Sequence, residues 1–131
     1  MINYSEDKLQ QAKDVAEVFR RSTIKRPVDD VERIQTMIDH SDILISAWHE
    51  GRMVGVARAI TDYSYCCYLS DLAVDQAYQK HGIGRELVRR VQAIIGEQCS
   101  LVLLSAPGAV DYYPRIGFER AEQAFVIRRK K

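Results

Sequence analysis

Apolar residues recur at two different periods along this chain, and the switches between them mark out its elements. Over residues 8–21, Leu9, Ala12, Ala16 and Phe19 fall on one stripe with charges opposite, which predicts an amphipathic helix. Pro27 ends that pattern. Asp29 then reads as an N-cap, with Glu32 three residues on and Val31, Ile34 and Ile38 as the stripe of a second helix. Two extended runs, 43–49 and 52–60, flank Glu50-Gly51 and predict a hairpin; 65–74 is a third strand, antiparallel to its neighbour. The period then returns to helical over 85–95. Leu87, Val88, Val91, Ile94 and Ile95 face inward there, and Arg85, Glu86, Arg89 and Arg90 face water. A short apolar strand follows at 101–104. Strand, helix, strand is a right-handed crossover, so 65–74 and 101–104 are expected to be parallel. A short first strand at 2–4, a short helix at 108–116 and a last strand at 124–128 complete the order.

Size and charge narrow the classes. A chain of 131 residues is read as one domain, 1–131, and 47% apolar with 28% charged residues is the balance of a globular protein. Nineteen basic against eighteen acidic residues leave +1, which gives no basic face for nucleic acid. Arg128-Arg129-Lys130-Lys131 reads as a solvated tail. No apolar run approaches the ~18 residues of a membrane span, and the first residues lack the apolar stretch of a signal peptide. Cys66, Cys67 and Cys99 are odd in number and lack metal-type spacing. They are expected to be reduced and mostly buried, as in a cytoplasmic protein, with no metal site. Cys66 and Cys67, being adjacent on a strand, should face opposite sides.

The chemistry concentrates in two places. Gln79-Lys80-His81-Gly82-Ile83-Gly84 links the third strand to the 85–95 helix. The first N–H groups of a helix lack partners, its dipole is positive there, and glycines let backbone approach an anion. Taken alone, the turn reads equally well as a phosphate cradle or as an empty connection. It is not a Walker A loop, since Arg85-Glu86 follows Gly84. The second place is Tyr112-Tyr113-Pro114-Arg115-Ile116-Gly117-Phe118, which the parallel pair brings to the same edge of the sheet. A tyrosine there can donate a proton to a leaving group, or can simply pack. Asp71, a carboxylate within an apolar strand, is either a base raised by burial or the partner of Arg58. Asp62 is a second candidate for substrate contact.

Together the two segments resemble the GCN5-related N-acetyltransferase (GNAT) superfamily. Its pattern is Gln/Arg-x-x-Gly-x-Gly/Ala after a strand, then an aromatic residue and Tyr-x-x-x-Gly-Phe further on. Leu72-Ala73-Val74-Asp75 also stands where the family has Leu-x-Val and a polar residue. The resemblance implies an α/β fold: a mixed, mostly antiparallel sheet of six to seven strands with a splayed parallel central pair, flanked by about four helices. It implies transfer of an acetyl group from acetyl-CoA to a primary amine by direct attack in a ternary complex. Gln79, Lys80, His81, Gly82, Ile83, Gly84 and Arg85 would hold the coenzyme A pyrophosphate, and the strand edge at Leu72, Ala73 and Val74 the pantetheine arm. Tyr113 would protonate the departing thiolate, and Asp71 is the candidate base. Pro114, directly after Tyr113, implies a short or irregular helix there. A coenzyme A-binding sensor without transferase activity is the alternative.

The acceptor is expected between the loop joining the first two helices and the middle strands. Lys25 and Arg26 would meet an acidic acceptor or lie in solvent, and Tyr63, Tyr65 and Tyr68 would line a pocket or belong to the core. A small-molecule amine is favoured over a protein acceptor. Dimers are common in the family, although no stretch of the sequence marks an interface.

Overall fold

The first helix begins later than its apolar stripe suggests, because Asp7 traps the preceding residues in a turn. Its side chain accepts from the Leu9 N–H (2.9 Å) and its carbonyl from the Gln10 side chain (3.0 Å). Leu9 is left exposed, and α1 runs over Ala12–Arg21, burying Val15, Ala16 and Phe19. The computed structural model describes residues 1–131. Helix α2 spans Val31–Asp39 and is capped by Asp30, not Asp29: the Asp30 carboxylate accepts from the Arg33 N–H at 3.0 Å. Ile34 and Ile38 are buried, whereas Val31 is exposed.

Five strands form one sheet in chain order: β1 (Asn3–Ser5), β2 (Ile43–His49), β3 (Arg52–Thr61), β4 (Cys66–Val74) and β5 (Ser100–Val102). β1 to β4 are antiparallel neighbours, and β5 is parallel to β4. Glu50 (φ +52°) and Gly51 (φ +78°) make the β2–β3 turn with the two positive φ values that match strand twist. Arg58 pairs with Asp71 but Ala59 with Leu69, so Ser70 is the extra residue of a bulge in β4. β4 and β5 pair only from Cys66↔Ser100 to Tyr68↔Val102. Beyond that point the strands part, and the outer edge of β4 from Leu69 to Val74 has no strand beside it.

Helix α3 (Ile83–Ile95) is the crossover between β4 and β5 and covers one face of the sheet. Leu87, Val88 and Val91 pack there with Ile45, Ala57 and Leu69. On the other face α1 and α2 pack on Leu44, Val56 and Ala73. Each fully buried Leu, Ile or Val side chain among them contributes about 1.5–3 kcal/mol, and the two cores clamp the sheet from both sides. No helix is long and apolar enough to cross a membrane.

Several expectations need correction. The sheet has five strands and the fold three α-helices, not six to seven and about four. Residues 108–116 form two single 3₁₀ turns, Pro107–Ala109 and Tyr113–Ile116, rather than one helix; Pro114 cannot donate the hydrogen bond that would extend the second backward. Residues 124–128 are not a strand, since nothing pairs with them, and Phe125 and Ile127 are 95% and 99% exposed. Cys67 is buried, which pushes its thiol up to about 11, while Cys66 on the opposite face is exposed.

Candidate active site

The connection from β4 to α3 is built from residues that tolerate unusual backbone. Asp75 follows β4 and caps the turn Gln76–Tyr78, accepting from the Ala77 N–H at 2.9 Å. Lys80 (φ +72°) and Gly82 (φ +79°) then reverse the chain in the left-handed region. Gly82 is the N-cap of α3 and has no side chain to cap it, in contrast to Asp30 at α2. The Glu86 N–H is the first to find a helical acceptor, the Gly82 carbonyl at 3.0 Å. The N–H groups of Ile83, Gly84 and Arg85 have no acceptor in the chain and sit at the positive end of a 13-residue helix. Gln79 donates from its side chain to the Val74 carbonyl at 3.0 Å, tying the turn to the end of β4. His81 is exposed.

A cavity of about 660 Å³ opens where β4 and β5 part. Leu72, Ala73 and Val74 form one wall; Gln79, Lys80, Gly82, Ile83, Gly84 and Arg85 form its mouth. Tyr112 and Tyr113, with Ser22, Thr23 and Ile24 from the α1–α2 loop, complete the lining. The charged residues of the lining are Lys80, Arg85 and Arg115, all cations. The volume is that of a small-molecule site.

The two tyrosines do different work. The Tyr112 hydroxyl lies against the first turn of α3, where a Cβ on Gly84 would come within 2.7 Å of it. Gly84 therefore permits a close approach. Arg85 adds a clamp by donating to the Arg115 carbonyl at 3.2 Å. Tyr113 is half-buried and stacks edge-to-face with Tyr112 (5.3 Å) and Phe118 (5.5 Å). Gly117 (φ +104°) ends this turn and lets Phe118 N–H return to the Tyr113 carbonyl at 3.1 Å. The Tyr113 hydroxyl has no hydrogen-bond partner in the chain. Burial raises its pKa above the ordinary 10.0, reinforced by Tyr112 and opposed by the charge of Arg26. It therefore keeps its proton at neutral pH.

Asp71 takes the ion-pair alternative. Its side chain is fully buried; Oδ2 accepts from Arg58 Nε at 2.5 Å, and Oδ1 accepts from Arg26 Nε. With a guanidinium on each oxygen, both acceptor atoms of this carboxylate are engaged within the chain. Arg58 also donates to Ser70 Oγ (2.9 Å), Ser41 Oγ (3.3 Å) and the Met37 carbonyl (3.3 Å). Arg26 reaches the Ser70 carbonyl at 2.8 Å. It is thus not a solvated loop cation but the tie between the α1–α2 loop and the bulge of β4. Nothing local in the sequence signals a pairing across 45 positions.

The other candidates disperse. Asp62 Oδ1 accepts from the Ser64, Tyr65 and Cys66 N–H groups, which hold its carboxyl down to about 2; it shapes the β3–β4 turn. Tyr63, Tyr65 and Tyr68 are exposed and line neither the cavity nor the core. Two histidines that the sequence did not single out also lie outside the cavity lining: His49 bonds Tyr78 Oη at 2.8 Å and His40 the Thr36 carbonyl at 2.9 Å.

Comparison with known proteins identifies the family. A model of the acetyltransferase (GNAT) domain matches residues 3–128. GCN5-related N-acetyltransferase 2, chloroplastic, of Arabidopsis thaliana is 35% identical over 72 residues, 53% of this chain and 28% of that protein. The uncharacterized N-acetyltransferase ycf52 of Porphyra purpurea is 26% identical over 101 residues, 72% of this chain and 56% of its own. The chain thus matches about half or less of these curated relatives' length. Among solved structures, the probable acetyltransferase SA2161 of meticillin-resistant Staphylococcus aureus superposes with a TM-score of 0.84 at 18% identity, covering 98% of this chain and all of that one. The aminoglycoside N-acetyltransferase AAC(6')-Iy in complex with CoA superposes at 0.73 and 15% identity, covering 100% and 96%. Both superpositions speak for the fold. With its two motifs on one cavity and the domain model matching nearly its whole length, this chain belongs to the GNAT acetyltransferase family.

Proposed function

We propose that the chain is an acetyl-CoA-dependent N-acetyltransferase acting on a primary amine of a small molecule. The observation that carries this reading is the convergence of three features on one cavity: unpaired N–H groups at the start of α3, an unpaired edge of β4, and the unpartnered hydroxyl of Tyr113. The residues fit a thioester cofactor with an anionic end. Ile83, Gly84 and Arg85 offer N–H donors and Lys80 and Arg85 offer positive charge for a pyrophosphate, with Gln79, His81 and Gly82 completing the turn. The free edge of β4 at Leu72, Ala73 and Val74 offers backbone groups that an extended amide-bearing arm would pair with, as an added strand does. CoA in the AAC(6')-Iy structure supports the same cofactor here.

Bound acetyl-CoA would supply the activated acyl group. The chain's part is alignment, acid catalysis and oxyanion stabilisation. Holding an amine beside the acyl carbon, between the Ser22-Thr23-Ile24 wall and Tyr113, is worth about 7–11 kcal/mol when orientation is good. A backbone N–H of β4 stabilises negative charge on the acyl oxygen. Tyr113 Oη, a neutral phenol whose pKa burial raises further above 10.0, would give its proton to the departing sulfur. The cavity lining contains no carboxylate and no imidazole, so the amine's proton passes to water. Asp71 acts through Arg26, by fixing the loop at the acceptor end.

The test is thiol release from acetyl-CoA with a panel of small amines, beside calorimetric binding of coenzyme A. Turnover with any amine supports the reading, and neither turnover nor binding sinks it. The lack of a free base in the cavity favours one rival, a coenzyme A-binding sensor. Tight binding without transfer, unaltered in Tyr113→Phe, would establish that rival.

A further inference from the structure

The loop between α1 and α2 carries positive charge without an acid of its own. From Ser22 to Val28 it holds Lys25 and Arg26 and no carboxylate. Lys25 is exposed. Arg26 lies against β4, yet 28% of its side chain remains in water.

The charges beneath the loop do not balance. Arg26 and Arg58 share one carboxylate, Asp71, and no second acid lies within ion-pair distance of either guanidinium. Their other partners, Ser41, Ser70 and the carbonyls of Lys25, Met37 and Ser70, are neutral. Two cations on one anion leave a surplus of one positive charge around a carboxylate that is fully buried. Such a charge, partly withdrawn from water, is costly until an anion joins it. Arg58 is buried and meets the Met37 carbonyl in the last turn of α2, the negative end of that helix. The surplus is therefore presented at Arg26.

Arg26 also keeps donors free. A guanidinium has five N–H groups, two on each terminal nitrogen. Nε donates to Asp71, Nη1 to the Lys25 carbonyl at 2.6 Å and Nη2 to the Ser70 carbonyl at 2.8 Å. One N–H on each terminal nitrogen is left, which suits the two oxygens of a carboxylate.

This cation stands just outside the proposed active site. Ile24, two residues before it, lines the same cavity as Tyr113. The charge of Arg26 acts on the Tyr113 hydroxyl, where it opposes the rise in pKa that burial causes. The lining itself offers an ammonium group no carboxylate, only Lys80, Arg85 and Arg115. An acceptor with several positive charges meets only like charge there. A single amine gains from the same field, because neighbouring cations lower the pKa of an ammonium and leave more of it as the neutral nucleophile.

On the reading of the chain as an N-acetyltransferase, we propose that its acceptor is an amine that carries its own carboxylate, as an amino acid does, and that Arg26 pairs with that carboxylate while the amine faces the cavity. The substrate then supplies the anion that the Arg26–Asp71–Arg58 cluster lacks. Arg26 sets specificity as well as tying down the loop.

Matched acceptors test this on the wild-type protein, with thiol release from acetyl-CoA as the readout. A panel of α- and ω-amino acids is run beside the corresponding carboxamides and a polyamine, with rates taken per neutral amine. The best amino acid should exceed its carboxamide in kcat/KM by about tenfold or more, the size of a charge-assisted bond. In Arg26→Ala that ratio should fall to about one, through the KM of the amino acid, while the carboxamide reacts nearly as in wild type. A loop merely displaced by the substitution would slow both acceptors alike and keep the ratio, which overturns the proposal. A carboxamide or polyamine that matches or beats every amino acid in the wild type overturns it too, and leaves the N-acetyltransferase reading standing. Neither thiol release with any amine nor calorimetric binding of coenzyme A would sink that reading, and this inference with it.

Discussion

Arg26 on the α1–α2 loop and Asp71 on β4 meet at the bulge, where Arg26 Nε donates to Asp71 Oδ1 and its terminal nitrogen reaches the Ser70 carbonyl at 2.8 Å. Since Arg58 holds the other oxygen of the same carboxylate, one buried acid joins a loop, two strands and, through the Met37 carbonyl, the end of α2. Ser22, Thr23 and Ile24, a few residues before Arg26, line the same cavity as Tyr113. The pair therefore braces the loop that lines the site without itself lining it.

Asp71→Asn separates the structural from the catalytic role of this carboxylate. It leaves two guanidinium groups without their anion, one of them buried, and should cost about 3–5 kcal/mol in urea unfolding. Arg26→Ala is milder, because Arg58 still pairs with Asp71. It should raise the acceptor KM roughly tenfold, the size of one lost charge-assisted bond, with coenzyme A affinity and kcat nearly unchanged. If Asp71 were the base, Asp71→Asn would change the shape of the kcat–pH profile. The geometry predicts the wild-type shape in whatever protein remains folded.

Tyr113→Phe keeps the ring stacking on Tyr112 and Phe118 and removes only the hydroxyl. If that hydroxyl is the proton donor, kcat should fall by about 10²–10⁴-fold while coenzyme A binds as before. The working form is the neutral phenol. Burial raises its pKa above 10.0, so activity should persist to pH 10 and fall only as the pH passes through the raised value. That alkaline fall should be missing from the residual activity of the Phe variant. Stopped-flow thiol release from pH 7 to pH 11 measures both.

What the sequence disclosed follows from what is local. The helices α1, α2 and α3, the Glu50-Gly51 hairpin and the crossover to β5 are all set by residues close together in the chain, and all are present, although Leu9 and Val31 drop out of the buried stripes. The Gly82 turn was legible for the same reason, since the demand for positive φ is met by the residue itself. Three features were not legible. Residues 124–128 have the composition of a strand, but a strand exists only where an edge receives it, and no local pattern reports the edge. Leu9 has the helical spacing, yet an Asp7 turn outcompetes the helix. The Arg26–Asp71 tie joins positions 45 apart, and Arg26 looked like any loop cation.

Acid should loosen the β3–β4 turn before it unfolds the core. Three N–H groups hold the Asp62 carboxyl at about 2, below the 3.8 of an unperturbed aspartate. A group depressed in the folded state stabilises above its unfolded pKa, and that contribution is lost as the pH falls through the folded one. The loss therefore runs from about pH 4 down to about pH 2. Asp62→Ala should flatten this part of the stability–pH curve and leave the curve above pH 5 parallel to wild type, as chemical denaturation at fixed pH values would show.

Gly82 and Gly84 are two residues apart but should fail for different reasons. Nothing lies within 4 Å of a Cβ built on Gly82, so Gly82→Val meets no clash; the obstacle is φ at +79°. Left-handed backbone costs a residue with a Cβ about 1–2 kcal/mol, more when it is β-branched, and relaxation would swing the α3 N–H groups off their line. Gly82→Val should therefore lose both stability and coenzyme A binding, whereas Gly82→Asn, which tolerates this region, should retain most of each. Gly84 lies inside α3, where alanine is the better helix former by about 1 kcal/mol. Its Cβ would stand 2.7 Å from Tyr112 Oη, and that hydroxyl, at the end of a side chain, can move aside. Gly84→Ala should thus stay folded, with little change in melting temperature, while Tyr112 shifts into the cavity and coenzyme A affinity drops. Calorimetry and melting curves on the three variants would separate the effects, and equal binding by Gly84→Ala and wild type would remove the turn from the proposed cofactor site.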